Sequence, residues 1–162
     1  MQGLIGSLIW LWVSIERTAE ELDAERAVSG HTAAVRGVSA RLDRWEKRVQ
    51  EDAAERPFRT RLARRLRTQL REAQRIRNGI CHGLSGIEVA NSERPGRLYW
   101  RVGGAEQSRT WEEMQGHFAW LSKVPGALLI LNRVEVSRFS RLDDTIENRE
   151  WWAAEYGVDL DA

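Results

Sequence analysis

Arg77, Asn78 and His82 fall within the six-residue segment Arg77-Asn78-Gly79-Ile80-Cys81-His82. A guanidinium, an amide and an imidazole this close together could grip a phosphodiester and move a proton at it. Arginine binds phosphate through a planar, two-pronged set of donors. Histidine titrates near pH 6.5, so it serves as acid or base close to neutrality. Arg64, Arg67, Arg71 and Arg75 precede Asn78 and His82 at spacings of 3, 4, 4, 3 and 4. At about 100° per residue these six positions share one side of a helix. A track of arginines, candidates for binding RNA, that leads to a histidine is what binding and cutting a phosphodiester requires. The same spacing also describes a solvated charged face that ends in an idle histidine.

Gly79 and Gly83 lie beside His82. In a helix interior each costs about 1 kcal/mol relative to alanine. Close approach of another backbone or of a ligand would compensate, and either a subunit interface or an RNA backbone would serve. Alternatively the helix ends at Gly83. Arg77 points about 140° away from His82 on an ideal wheel, toward the apolar edge. Either the helix is distorted at Gly79, or the long side chain reaches round to the site, or Arg77 is a half-buried structural residue paired with an acid such as Glu16 or Glu20.

Other reactive side chains are less informative. Cys81 is the only cysteine, which excludes an intrachain disulfide and suits a reducing cytoplasm. It points about 100° from His82 and is no nucleophile for it. His31 reads as a cap or surface residue. His117, near Trp111, Phe118, Trp120 and Leu121, reads as a half-buried core histidine. The histidines and the cysteine lack metal-ligand spacing, and no glycine-rich phosphate loop is present, so no metal or cofactor is expected. Tyr99 and Trp100 could stack on bases; alternatively one packs in the core and the other is exposed by chance.

The whole chain bounds these readings. Its 162 residues suit one domain with a real core. The apolar share of 42% and charged share of 30% are those of a soluble globular protein. Net charge is only +1, so affinity for nucleic acid must come from local clustering. Of the 25 basic residues, all but Lys47 and Lys123 are arginine. The apolar run Leu4–Ile15 is shorter than the roughly 20 residues needed to cross a bilayer. It also lacks the basic flank and cleavage site of a signal peptide. No membrane partner is expected.

The positioning elements follow from periodicity. A first helix spans about Gly3–Ala27, with Leu4, Leu8, Trp12, Ile15, Ala19 and Leu22 on one stripe, widened by Ile5 and Ile9. With Trp10 and Val13 on its other sides it needs two covers: the domain core, plus either a second copy or further helices of the same chain. After Ser29-Gly30-His31-Thr32, a second helix covers about Ala33–Ala54 and buries Val35, Val38, Leu42, Trp45 and Val49. Pro57 opens a third helix with the apolar stripe Phe58, Leu62, Leu66, Leu70, Ala73, Ile76, Ile80 and Leu84. Ile87–Ala90 and Leu98–Val102 form a hairpin around Asn91–Gly96, with a third short strand at Gln107–Arg109. Thr110-Trp111-Glu112-Glu113 has capping-box spacing and starts a fourth helix. Pro125-Gly126 is expected to interrupt it, with continuation to about Phe139. Residues 143–162 form an acidic, aromatic tail, expected as a short docked helix that could shield the arginine stripe. The fold class is therefore mainly α, a helical bundle with a small β-hairpin after the third long helix, the domain covering residues 1–142.

At Arg77-Asn78-x-x-x-His82 the chain resembles the R-x4–6-H motif of HEPN domains, in which a polar residue often follows the arginine. HEPN domains are small up-and-down helical bundles with this motif near the end of a long helix. The resemblance covers residues 1 to about 142. It implies a metal-independent endoribonuclease of the kind found in toxin–antitoxin, phage-defence and CRISPR-associated systems, acting as a homodimer and held in check by an antitoxin or regulatory protein. By that resemblance His82 is the general acid or base for attack of the ribose 2′-hydroxyl, Arg77 stabilises charge on phosphate, and Asn78 orients His82 or the substrate. Products carry a 2′,3′-cyclic phosphate and a 5′-hydroxyl. Leu84 replaces the tyrosine that some members carry two residues after the histidine, so regulation through that tyrosine is not implied. The same fold also permits a non-catalytic RNA- or nucleotide-binding protein, or a dimeric interaction module.

Overall fold

A computed structural model describes residues 2–27, 37–52, 56–133 and 141–160. The chain is mainly helical with one small antiparallel sheet. Its elements are α1 (Gln2–Ala27), α2 (Val38–Asp52), α3 (Pro57–Gly83), β1 (Leu84–Glu88), β2 (Arg97–Val102), β3 (Ala105–Thr110), α4 (Trp111–Asn132) and α5 (Ile146–Tyr156).

The apolar stripes form the core. Leu8, Trp12, Ile15, Ala19 and Leu22 of α1 are buried, as are Leu42, Trp45 and Val49 of α2. Helix α1 packs against α4 and α2, and α2 packs against α3. Helices of the same chain therefore supply one cover for α1. On its other side Ile9, Trp10 and Val13 are exposed at 43%, 68% and 54%. The expected positions Val35 and His31, and the chain beyond Arg133 toward Phe139, lie outside the described residues.

Helix α3 starts at Pro57, whose missing N–H costs nothing at a first turn. It buries Phe58, Leu62, Leu66, Leu70, Ala73, Ile76 and Ile80, but the stripe stops short of Leu84. That residue is exposed and opens β1 with extended backbone. The hairpin and the expected third strand, which runs over Ala105–Thr110, form a three-stranded meander in the order β1-β2-β3. Strand β1 begins directly after the helix, earlier than Ile87, and its register with β2 slips between Leu84 and Gly86. Gly103 and Gly104 both have positive φ, 57° and 85°, and close β2 onto β3 with Val102 opposite Ala105. Two positive φ values in a two-residue loop match the twist of the strands, and glycine reaches them without strain.

Thr110 caps α4 as the spacing required: its side chain accepts from the Glu113 N–H, and the Glu113 carboxylate accepts from the Thr110 N–H. The expected break at Pro125-Gly126 does not occur, and α4 runs unbroken to Asn132. Proline removes one helical hydrogen bond. Burial of Leu121 and Val124 before it, and of Ala127, Leu128 and Leu131 after it, holds both halves in the core. Helix α5 is docked: Trp152 is fully buried and its indole N–H donates to the Arg141 carbonyl at 2.6 Å. Among the described residues, no helix is long and apolar enough to cross a membrane.

Candidate functional site

The last two turns of α3 lie under the sheet. Leu98 and Trp100 of β2 are buried, and Trp100 crosses α3 at Gly79, where a methyl group would overlap its indole ring. One turn on, a methyl group at Gly83 would overlap the Arg101 carbonyl. The two glycines do mark a close approach, but its occupant is this chain's own β2. Neither a second subunit nor an RNA backbone is needed to explain them. The helix also ends at Gly83, so both readings of that residue hold.

With the sheet seated there, the motif residues face outward. Asn78 and His82 are exposed and Arg77 is half-buried. The Arg77 guanidinium donates through Nη1 to the Asn78 side-chain oxygen at 2.9 Å. Its Nε is buried and has no hydrogen-bond partner among the described residues. Glu16 and Glu20, the acids considered for it, pair instead with Arg41 at 3.5 and 3.1 Å. His82 makes no hydrogen bond or ion pair among the described residues. Arg77 and Asn78 are thus brought together, and His82 stands one turn beyond Asn78 with its imidazole unspent.

The arginine stripe divides. Arg67 is 1% exposed and cannot meet an RNA strand. Its Nε donates to Asp43 of α2 at 2.8 Å and its Nη2 to the Ser39 hydroxyl at 2.9 Å. On the helical wheel it sits at the edge of the polar face, where α2 covers it. Arg71 is exposed but also donates to Asp43, at 2.9 Å. Burial would raise the Asp43 pKa, but the hydrogen bonds from Arg67 and Arg71 hold it below the ordinary carboxylate range. Arg75 is exposed and meets Glu72 at 3.2 Å. Arg64 is exposed, with no carboxylate partner among the described residues. Three carboxylates of the acidic tail pair away from this stripe: Asp144 reaches Arg61 at 3.5 Å, while Glu147 and Glu155 pair with Arg141 and Lys123.

Sequence reasoning missed a groove on the next side of α3, between that helix, the β2–β3 ribbon and α4. Three adjoining hollows of about 300, 250 and 250 Å³ share Ile76 as their floor. Glu72, Arg109 and His117 each line two of them. His117 is half-buried, tilted against Phe118 and Trp120. Burial, reinforced by the Arg109 charge and partly offset by Glu72, holds its pKa below 6.5. Of the two hairpin aromatics, Trp100 is core, and the half-buried Tyr99 donates its hydroxyl to Glu88 at 2.7 Å. Compared with protein-family models, curated proteins and solved structures, the chain shows no match.

Proposed function

We propose that this chain is a metal-independent endoribonuclease of the HEPN type that cuts single-stranded RNA at the Arg77-Asn78-His82 segment. The observation that supports this most is His82 itself: exposed, without a hydrogen bond or ion pair among the described residues, and one helical turn from an Arg77–Asn78 pair. In the reaction the ribose 2′-oxygen bonds to the adjacent phosphorus while the bond from phosphorus to the 5′-oxygen breaks. The 2′-hydroxyl proton goes to a base, and an acid returns a proton to the leaving 5′-oxygen. His82 would supply one of these roles, worth about 10²–10⁴-fold in rate. Arg77 would stabilise the charge on phosphate, with Asn78 holding the guanidinium in place. A single His82 per chain cannot readily do both jobs in one step, so a homodimer with two segments facing one cleft suits the chemistry. Arg64 and Arg75 would bind the flanking phosphates. An antitoxin or regulatory protein, as in toxin–antitoxin and phage-defence systems, would restrain such an activity.

The test is incubation of labelled single-stranded RNA in EDTA with the wild type and with His82→Ala. The expected result is cleavage by the wild type, at least about 100-fold slower with the variant. Absence of cleavage by the wild type across several RNAs would overturn the enzyme and leave a binding or interaction role.

A further inference from the structure

Strand β2 borders the end of α3 on the side next to His82. Trp100 lies on Gly79, and the backbone of Arg101 lies on Gly83. On the wheel Gly79 and Gly83 follow Asn78 and His82 by one position and about 100°. The polar stripe therefore flanks the seam where β2 meets α3. Arg75 and Val102 line one hollow, which sets the stripe of Arg75, Asn78 and His82 along the Val102 end of β2. Val102 is itself 47% exposed there. His82 and Arg101 are thus neighbours across the seam, although they come from two elements.

Arg101 is exposed and makes no hydrogen bond or ion pair through its side chain among the described residues. Glu106 stands opposite it on β3, and the two form no ion pair. Trp100 points at α3, so Arg101, the next residue, leaves the opposite face of β2. Its guanidinium rides on a flexible three-carbon stem that can bend back over the strand end. Little stands in the way, because β2 ends at Val102 and turns through Gly103 and Gly104, which carry no side chains. Arg77 is committed differently. Its Nη1 holds Asn78, and its Nε is buried. Arg75 meets Glu72. Around His82, Arg101 is the arginine whose five N–H donors are all open to a ligand.

We propose that Arg101 binds the phosphate on which His82 acts, closing over it from the β2 side. Two phosphate oxygens accept a two-pronged grip from the guanidinium. Charge that develops on those oxygens as the 2′-oxygen attacks strengthens the grip. That the phosphate belongs to RNA rests on the ribonuclease reading; the meeting of Arg101 and His82 at one phosphate does not.

The test has a binding arm and a cleavage arm. In the first, the full chain is titrated with a fully 2′-deoxy tetranucleotide, which cannot undergo 2′-attack, while NMR follows the His82 ring and the Arg101 Nε–H. Both signals should move in one transition. Arg101→Gln should weaken the affinity read at His82 by about tenfold or more, as loss of a charged hydrogen bond does. Arg101→Lys should fall between, because the charge stays and the fork is lost. Arg94→Gln removes an exposed charge at the far turn of the sheet and should leave that affinity within about twofold. In the second arm, Arg101→Gln should lower kcat/KM on RNA by about tenfold or more, mostly through kcat. A His82 shift without one at Arg101, no response at His82, or an equal loss with Arg94→Gln would overturn the site. Cleavage at one rate by the wild type and Arg101→Gln would remove Arg101 and keep the ribonuclease. Joint shifts without any cleavage would remove the ribonuclease and keep Arg101 at the phosphate.

Discussion

The middle and the end of α3 are held by opposite means. In the middle, a long charged side chain is spent on packing: Arg67 lies buried against α2, anchored to Asp43 and Ser39. At the end there is no side chain at all. Gly79 and Gly83 admit Trp100 and the Arg101 carbonyl of β2 directly onto the helix. Arginines in a basic helix are therefore not interchangeable, and glycines beside a histidine need not mark a ligand. Both grips leave Arg64, Arg75, Asn78 and His82 exposed on the open side of the helix.

The contrast breaks most severely at the end. Gly79→Ala would drive a methyl group into the Trp100 ring and should destabilise by up to about 3 kcal/mol, the upper range for overpacking. Gly6→Ala, which meets open space on α1, should instead be neutral or stabilise by up to about 1 kcal/mol. Urea denaturation of both variants checks this, and equal effects would remove the packing role of Gly79. In the middle, Asp43→Ala should cost about 2 kcal/mol. That is less than the roughly 3–5 kcal/mol for breaking a fully buried pair, because the Asp43 side chain is 47% exposed. Arg64→Ala, on the open side, should change stability by under about 0.5 kcal/mol. A loss at Arg64 as large as that at Asp43 would erase the division of the stripe.

A smaller effect should appear with pH. The folded chain holds His117 below its ordinary pKa of 6.5, so the fold keeps the neutral ring. Above pH 6.5 both folded and unfolded chains carry it neutral and nothing is lost. As pH falls below 6.5 the unfolded chain takes up the proton first, and stability declines until the folded pKa is passed. His117→Gln should flatten that part of the pH profile of Tm. An unchanged profile would show that His117 is not held neutral.

The helices were legible because their apolar spacing is regular: Phe58 through Ile80 is a single stripe, and Thr110 with Glu113 marks a helix start without ambiguity. Leu84 misled because it continues that stripe in register, although the sheet's close approach at Gly83 turns the chain into β1. Pro125 misled because local propensity gave way to apolar burial on both sides. Arg64 and Arg67 look alike in sequence, and only the packing of α2 tells them apart. Arg77, Asn78 and His82 stood out through a short motif, and the structure leaves Asn78 and His82 exposed. The groove did not stand out, because Gln69, Arg109 and His117 come from three elements and form no pattern in the chain.

The most direct measurement of the central claim uses two RNAs of one sequence, one all-ribose and one fully 2′-deoxy at the positions cut in the first, each incubated with the wild type in EDTA. Attack by a 2′-hydroxyl activated near His82 predicts that only the all-ribose strand is cleaved, with 2′,3′-cyclic phosphate ends visible by mass spectrometry. Cleavage of the 2′-deoxy strand at the same positions, or ends without a cyclic phosphate, would contradict it.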